Sequence, residues 1–131
     1  MILVYVTCTD NVEAKKIVID SRVLIIAKDV SVLRSLEEEF ERSGARVFVA
    51  TSGRDGLRQL YSGQPDLVVL EMELEDLDGL KLCQRIRQLT DLPIIIFSAA
   101  VDEALELRAL EMGADDYLTR PFRSDVLLAR T

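Results

Sequence analysis

The stretch Pro65–Arg87, PDLVVLEMELEDLDGLKLCQRIR, changes periodicity halfway along. Its first half carries Leu67-Val68-Val69-Leu70, apolar at every position and followed by Glu71. A strand with only one face buried would alternate, so a continuous run predicts a strand covered on both faces. From Gly79 onward the apolar residues Leu80, Leu82, Cys83, Ile86 and Leu89 recur three and four apart, predicting a helix over Gly79 to Leu89 that buries all five. A strand covered twice, followed by an amphipathic helix, is the repeating unit of a parallel sheet with helices on both sides.

The same unit recurs on either side of this stretch. Short β-branched or apolar runs fall at Val23–Ala27, Arg46–Ala50, Ile94–Phe97 and Tyr117–Leu118. Between the first two lies an apolar stripe of Val32, Leu33, Leu36 and Phe40, with Glu37, Glu38, Glu39, Glu41 and Arg42 opposite. Gly44 follows it at the position where a helix end wants a left-handed residue. Ser52 is the expected N-cap of a second helix that Gly63 and Pro65 end. A fourth helix is expected over Glu103 to Met112, stopping at Gly113, and a fifth from about Ser124. Five such units predict an α/β, doubly wound, five-stranded parallel sheet over residues 21–131. Ligand chemistry in such sheets gathers at the carboxyl ends of the strands, here Ala27-Lys28-Asp29, Glu71, Ser98-Ala99 and Arg120.

Residues 1–20 stand outside this repeat. ILVYVTC and KIVID both read as strands around Thr9–Lys15, which suggests a hairpin-like N-terminal extension; a start without ordered structure stays open beside it. Ile2–Val6 is too short to span a bilayer and has no basic residue before it, so neither an export signal nor a membrane anchor is expected.

Composition narrows the function. The chain has 131 residues, 49% hydrophobic and 30% charged, enough for one packed core. Sixteen Lys and Arg against 23 Asp and Glu leave a net charge of −7, which argues against a broad basic face for nucleic acid or anionic lipid. The absence of histidine excludes a His-based triad or a His-ligated metal. Cys8 and Cys83 are too few for a zinc cluster or a secreted disulfide scaffold, so the expectation is a cytoplasmic chain with reduced thiols. Cys83, on the stripe of the third helix, is expected in the core.

The strings VLIIAKDVSVLRSL (23–36), PDLVVLEMELEDLDGLKLCQRIR (65–87), LPIIIFSAA (92–100) and GADDYLTRPF (113–122) occur in an order that resembles a response-regulator receiver domain. The resemblance runs from Arg22 to Thr131 and implies a flavodoxin-like fold of the receiver type. In a working receiver, a carboxylate after the third strand takes a phosphoryl group and two acids after the first strand hold Mg²⁺. A Ser or Thr after the fourth strand and a lysine after the fifth contact the phosphoryl oxygens.

Matched residue by residue, this chain departs from that pattern. The acceptor position is Glu71, one methylene longer than aspartate, and a misplacement of about 1 Å can cost ~10²-fold in rate. The acidic pair is replaced by Ala27 and Lys28, with Asp29 next to them, and the lysine by Arg120, which is forked and always charged. Ser98 keeps the hydroxyl position, Tyr117 keeps the aromatic switch position, and Pro121 matches a turn proline. Lys28, Asp29, Glu71 and Arg120 balance in charge without a cation, so Glu71 is expected to pair with Arg120, Lys28 or both.

The last stretch looks most like receivers that precede a winged-helix DNA-binding domain. That likeness implies a homodimer through the fourth helix, fifth strand and fifth helix. Asp116 and Arg130 match one charged pair of the dimer face; Val126 and Glu106 depart from another. DNA contact would come only through an effector domain beyond Thr131. The resulting expectation is a non-enzymatic, phosphorylation-independent signalling domain of a transcriptional regulator, needing neither metal nor cofactor and acting by dimerisation or docking, with no membrane contact. A receiver still phosphorylatable with unusual metal and acceptor residues is the alternative, and a small-molecule sensor a more distant one.

Overall fold

A computed structural model describes residues 2–6, 15–19, 22–42, 44–98, 103–119 and 126–130. The chain first forms β1 (Ile2–Val6) and β2 (Lys15–Ile19), then β3 (Arg22–Ile26), α1 (Val30–Arg42) and β4 (Arg46–Ala50). Next come α2 (Gly53–Gly63), β5 (Leu67–Glu71), α3 (Gly79–Leu89) and β6 (Ile94–Ser98). It closes with α4 (Glu103–Glu111), β7 (Asp116–Thr119) and β8 (Val126–Arg130).

Strands β4-β3-β5-β6-β7 form one parallel sheet. The pleat sorts each strand's residues between two cores. Val23, Ile25, Leu67, Val69, Ile95 and Phe97 pack with Leu33, Leu36 and Phe40 of α1. Leu24, Ile26, Val68, Leu70, Ile94 and Ile96 pack on the other side against α2, α3 and α4, through Leu60, Leu82, Cys83, Ile86 and Ala109. Burying a side chain such as Phe40 stabilises the fold by about 1.5–3 kcal/mol.

The helix ends follow local chemistry. Gly44 has φ 93° after α1, and Ser52 caps α2 by accepting the Asp55 N–H at 3.1 Å. Asp78 caps α3 by accepting from Leu80 N–H at 2.8 Å. At the end of α2 the left-handed residue is Gln64, φ 46°, beyond the buried Gly63. Leu89 corrects one expectation: it is 47% exposed, in the last turn of α3, where Thr90 already leaves the helix in an extended conformation.

The larger correction concerns the C-terminal stretch. A fifth helix was expected from Ser124, but residues 126–130 are strand β8, antiparallel to β1 from Val6↔Val126 to Ile2↔Arg130. β1 also pairs antiparallel with β2, giving a separate three-stranded sheet, β2-β1-β8. A short apolar run does not by itself choose between helix and strand, and β1 offers Val126-Leu127-Leu128 a full row of backbone partners. Arg130 therefore lies in a strand and not on a helix of the expected dimer face, while Asp116 opens β7. Arg120, Pro121, Ala99, Ser124 and Cys8 lie outside the described residues.

Candidate functional site

Because the sheet is parallel, β3, β5 and β6 all end on one edge, bringing Ala27-Lys28-Asp29, Glu71 and Ser98 together there. Glu71 closes β5 and is only 3% exposed. The pleat that sends Leu67 and Val69 to the α1 side sends Glu71 the same way, under the loop that leads into α1. Its Oε1 accepts the N–H of Lys28 at 2.7 Å and of Asp29 at 3.3 Å. A buried carboxylate is tolerated where donors converge on it, and this loop supplies two.

Lys28 thus meets Glu71 through its backbone amide, with its side chain exposed. Asp29 does different work. Its Oδ1 accepts from Ser31 N–H at 3.0 Å, Ser31 Oγ–H at 2.7 Å and Val32 N–H at 3.4 Å, which makes it the N-cap of α1. Ala27 is completely buried.

These residues do not suit a Mg²⁺ ion. Such an ion wants several oxygen ligands at short range. Ala27 supplies none, Lys28 carries a positive charge, and Oδ1 of Asp29 is engaged by the first turn of α1. Among the described residues no three acidic, cysteine or histidine side chains are grouped as a metal would need.

Ser98 ends β6 and is fully buried. Its neighbours Ile94 and Ile96 face the α3 and α4 side, so Ser98 points away from the side that receives Glu71. Its hydroxyl donates to Oε1 of Glu73, two residues beyond Glu71. Tyr117, the expected switch residue, is buried in the same core as Ile96 and Ala109 of α4. Sequence reasoning did not single out Glu73. The signal was the pair Glu71-x-Glu73 straight after a buried strand, which puts a second acid within reach of the same edge.

The segment carrying Glu73 is closed on itself. Glu73 and Asp78 form an isolated antiparallel bridge, and Gly79 N–H donates to Met72 O at 3.0 Å. A Cβ on Gly79 would lie 2.6 Å from Met72 Cα, so only glycine allows this closure. Asp76 ties the loop to α2, accepting from Gly53 N–H at 2.8 Å and Arg54 N–H at 3.0 Å. Across from the loop, Leu105 and Arg108 of α4 complete a groove of about 470 Å³.

Comparison with known proteins agrees with this fold. The family model described as response regulator receiver domain matches residues 23–131. The transcriptional regulatory protein AfsQ1 of Streptomyces coelicolor is 43% identical over 82% of this chain and 48% of its own length. The KDP operon transcriptional regulatory protein KdpE of Escherichia coli is 37% identical over 84% of this chain and 49% of its own. The chain therefore spans about half the length of these curated relatives. Among solved structures, a two-component response regulator from Clostridium difficile superposes with a TM-score of 0.78 at 31% identity, covering 80% of this chain and 87% of that one. The receiver domain of the Francisella response regulator 1452 gives 0.75 at 31% identity, covering 81% and 88%. No helix among the described residues is long and apolar enough to cross a membrane.

Proposed function

The chain belongs to the response regulator receiver family, and we propose that within it this domain signals through protein contacts without taking up a phosphoryl group. One observation carries the reading. The carboxylate at the acceptor position, Glu71, is buried and held by the amides of Lys28 and Asp29, in a pocket where Ala27 and Lys28 stand for the metal-binding acids. A nucleophile needs a free oxygen in line with its donor, and phosphoryl transfer needs its charge neutralised. Two amides fix Glu71 through Oε1, and Ala27 and Lys28 at the positions beside it offer no acid pair to recruit a cation.

The output is a contact with a second copy of the chain. Leu107, 59% exposed, and Leu110, 42% exposed, lie three residues apart on α4 among Glu103, Arg108 and Glu111. An apolar pair rimmed by charges of both signs suits a two-fold self-contact. The relatives named as transcriptional regulators point to an effector that such pairing brings together on DNA.

Incubation with acetyl phosphate and Mg²⁺, followed by intact-mass measurement, is the test. The expected spectrum shows the unmodified chain alone. An adduct of one phosphoryl mass on the wild type overturns the reading in favour of a phosphorylatable receiver, and its loss in Glu71→Ala assigns it to Glu71.

A further inference from the structure

One carboxylate closes β5 and a second follows two residues later, and they face different partners. Glu71 is held by the amides that precede α1. Glu73 instead receives the hydroxyl proton of Ser98, on the side of the sheet where α4 packs. By family resemblance Ser98 is the hydroxyl that would bond a phosphoryl oxygen. A carboxylate oxygen and a phosphoryl oxygen are alike to such a donor: both are anionic acceptors that form short, charge-assisted bonds.

The loop presents Glu73 in a fixed way. The Glu73–Asp78 bridge and the Met72–Gly79 hydrogen bond close it, and Asp76 anchors it to the first turn of α2. An acceptor on a closed, anchored loop meets Ser98 with little ordering cost. The same loop forms one wall of the groove whose other wall is Leu105 and Arg108 of α4. The loop that carries Glu73 therefore faces α4, the helix that exposes Leu107 and Leu110, across this groove.

We propose that Glu73 is the built-in anion of this receiver: its carboxylate occupies the place of a phosphoryl oxygen on the Ser98 hydroxyl and holds the end of β6, and α4 with it, in one standing arrangement. The proposal rests on the phosphorylation-independent reading and refines it, because it moves the role of internal ligand from the acceptor position to the residue two beyond. Glu73 acts here as a positioning residue.

The test compares amide spectra of the full chain labelled with ¹⁵N, as wild type, Glu73→Ala, Ser98→Ala, the double variant and Glu73→Gln. Glu73→Ala and Ser98→Ala are expected to move the same α4 amides in the same direction. The double variant should move them no further than either single change, because both remove one shared bond. Glu73→Gln keeps an acceptor oxygen but not the charge, so its α4 amides should fall between wild type and Glu73→Ala. A role limited to packing the loop would confine the shifts to residues 72–79 and overturn the proposal. So would α4 shifts in the double variant equal to the sum of the two singles. A phosphoryl adduct in the mass experiment would overturn the wider reading, whereas these spectra, recorded without a phosphodonor, judge Glu73 alone.

Discussion

Asp76 lies at the N-terminus of α2, 23 residues away in sequence, and its Oδ1 accepts the Gly53 N–H at 2.8 Å. Oδ2 takes the next amide, Arg54, at 3.0 Å, so one exposed carboxylate satisfies two of the donors a helix start leaves open. The Leu77 side chain lies where a Cβ on Gly53 would have to go, 2.7 Å from its Cδ1. The β5–α3 loop is thereby fastened to a helix that precedes it in the chain.

These contacts set a pH dependence. Hydrogen bonds from Gly53 and Arg54 hold the Asp76 carboxyl below its usual range. A group whose pKa is lower folded than unfolded stabilises the fold above the unfolded value, about 3.9 for Asp, and that stabilisation is lost as pH falls through the folded value. Urea midpoints of wild type and Asp76→Ala should thus differ most near neutral pH and converge on acidification below about pH 4. A gap that stays constant with pH would show that the charge on Asp76 plays no part.

Arg87 fastens the opposite side of the fold. Its Nη1 donates to Leu92 O at 2.7 Å, and its Nε and Nη2 donate to Gly113 O at 3.0 and 2.6 Å. Nη2 also lies 3.0 Å from Oδ2 of Asp115, an oxygen that in turn accepts the Ile94 N–H at 2.7 Å. The guanidinium thus joins the end of α3 to the approaches of β6 and β7. A lysine keeps the charge but cannot serve so many acceptors from one planar group. Arg87→Lys should cost about 2 kcal/mol, read from urea unfolding, since hydrogen bonds to a charged group contribute ~1.5–3 kcal/mol each and some are retained.

Cys83 is buried in α3, and burial pushes its thiol up to about 11. The thiolate is the reactive form, so at pH 8 the reactive fraction is roughly two orders of magnitude below that of an ordinary thiol. In a Cys8→Ser variant, which isolates Cys83, a maleimide or disulfide reagent should label the folded chain at least ~100-fold more slowly than the urea-unfolded one. Equal rates would mean that α3 does not protect the sulfur.

How far the amino-acid order alone shows this structure depends on the reach of each interaction. Apolar runs such as Leu67–Leu70 and Ile94–Phe97 reveal strands because burial on both faces is written into every position. Gly44 and Ser52 reveal helix ends because a cap is satisfied within three or four residues. The C-terminal strand is hidden because Val126–Arg130 finds its partner in β1, more than a hundred residues earlier, and a short apolar run is ambiguous between helix and strand. The site divides in the same way. Glu71, Lys28 and Asp29 could be placed from motif order, yet that Lys28 uses its amide and Asp29 serves as a helix cap depends on loop geometry. Glu73–Ser98 spans 25 residues and leaves only the spacing Glu71-x-Glu73 as its trace.

On the proposed reading Ala27, Lys28 and Glu71 keep Mg²⁺ out of the pocket, so acids at these positions should restore the cation. In the triple variant Ala27→Asp, Lys28→Asp, Glu71→Asp, three carboxylates face one another at the ends of β3 and β5. Ala27 is completely buried, and an ionised acid there without a counter-charge is costly. The variant should therefore melt well below the wild type in the absence of divalent cations. Mg²⁺ binds only the folded form, so it should raise the variant's melting temperature in a saturable way by mass action, while the wild type shows no comparable rise. Amide shifts on titration should centre on residues 27–29 and 71. A wild-type chain that responded to Mg²⁺ as strongly as the variant would show that Ala27 and Lys28 do not bar the ion, and the account of this pocket as closed to metal would have to be abandoned.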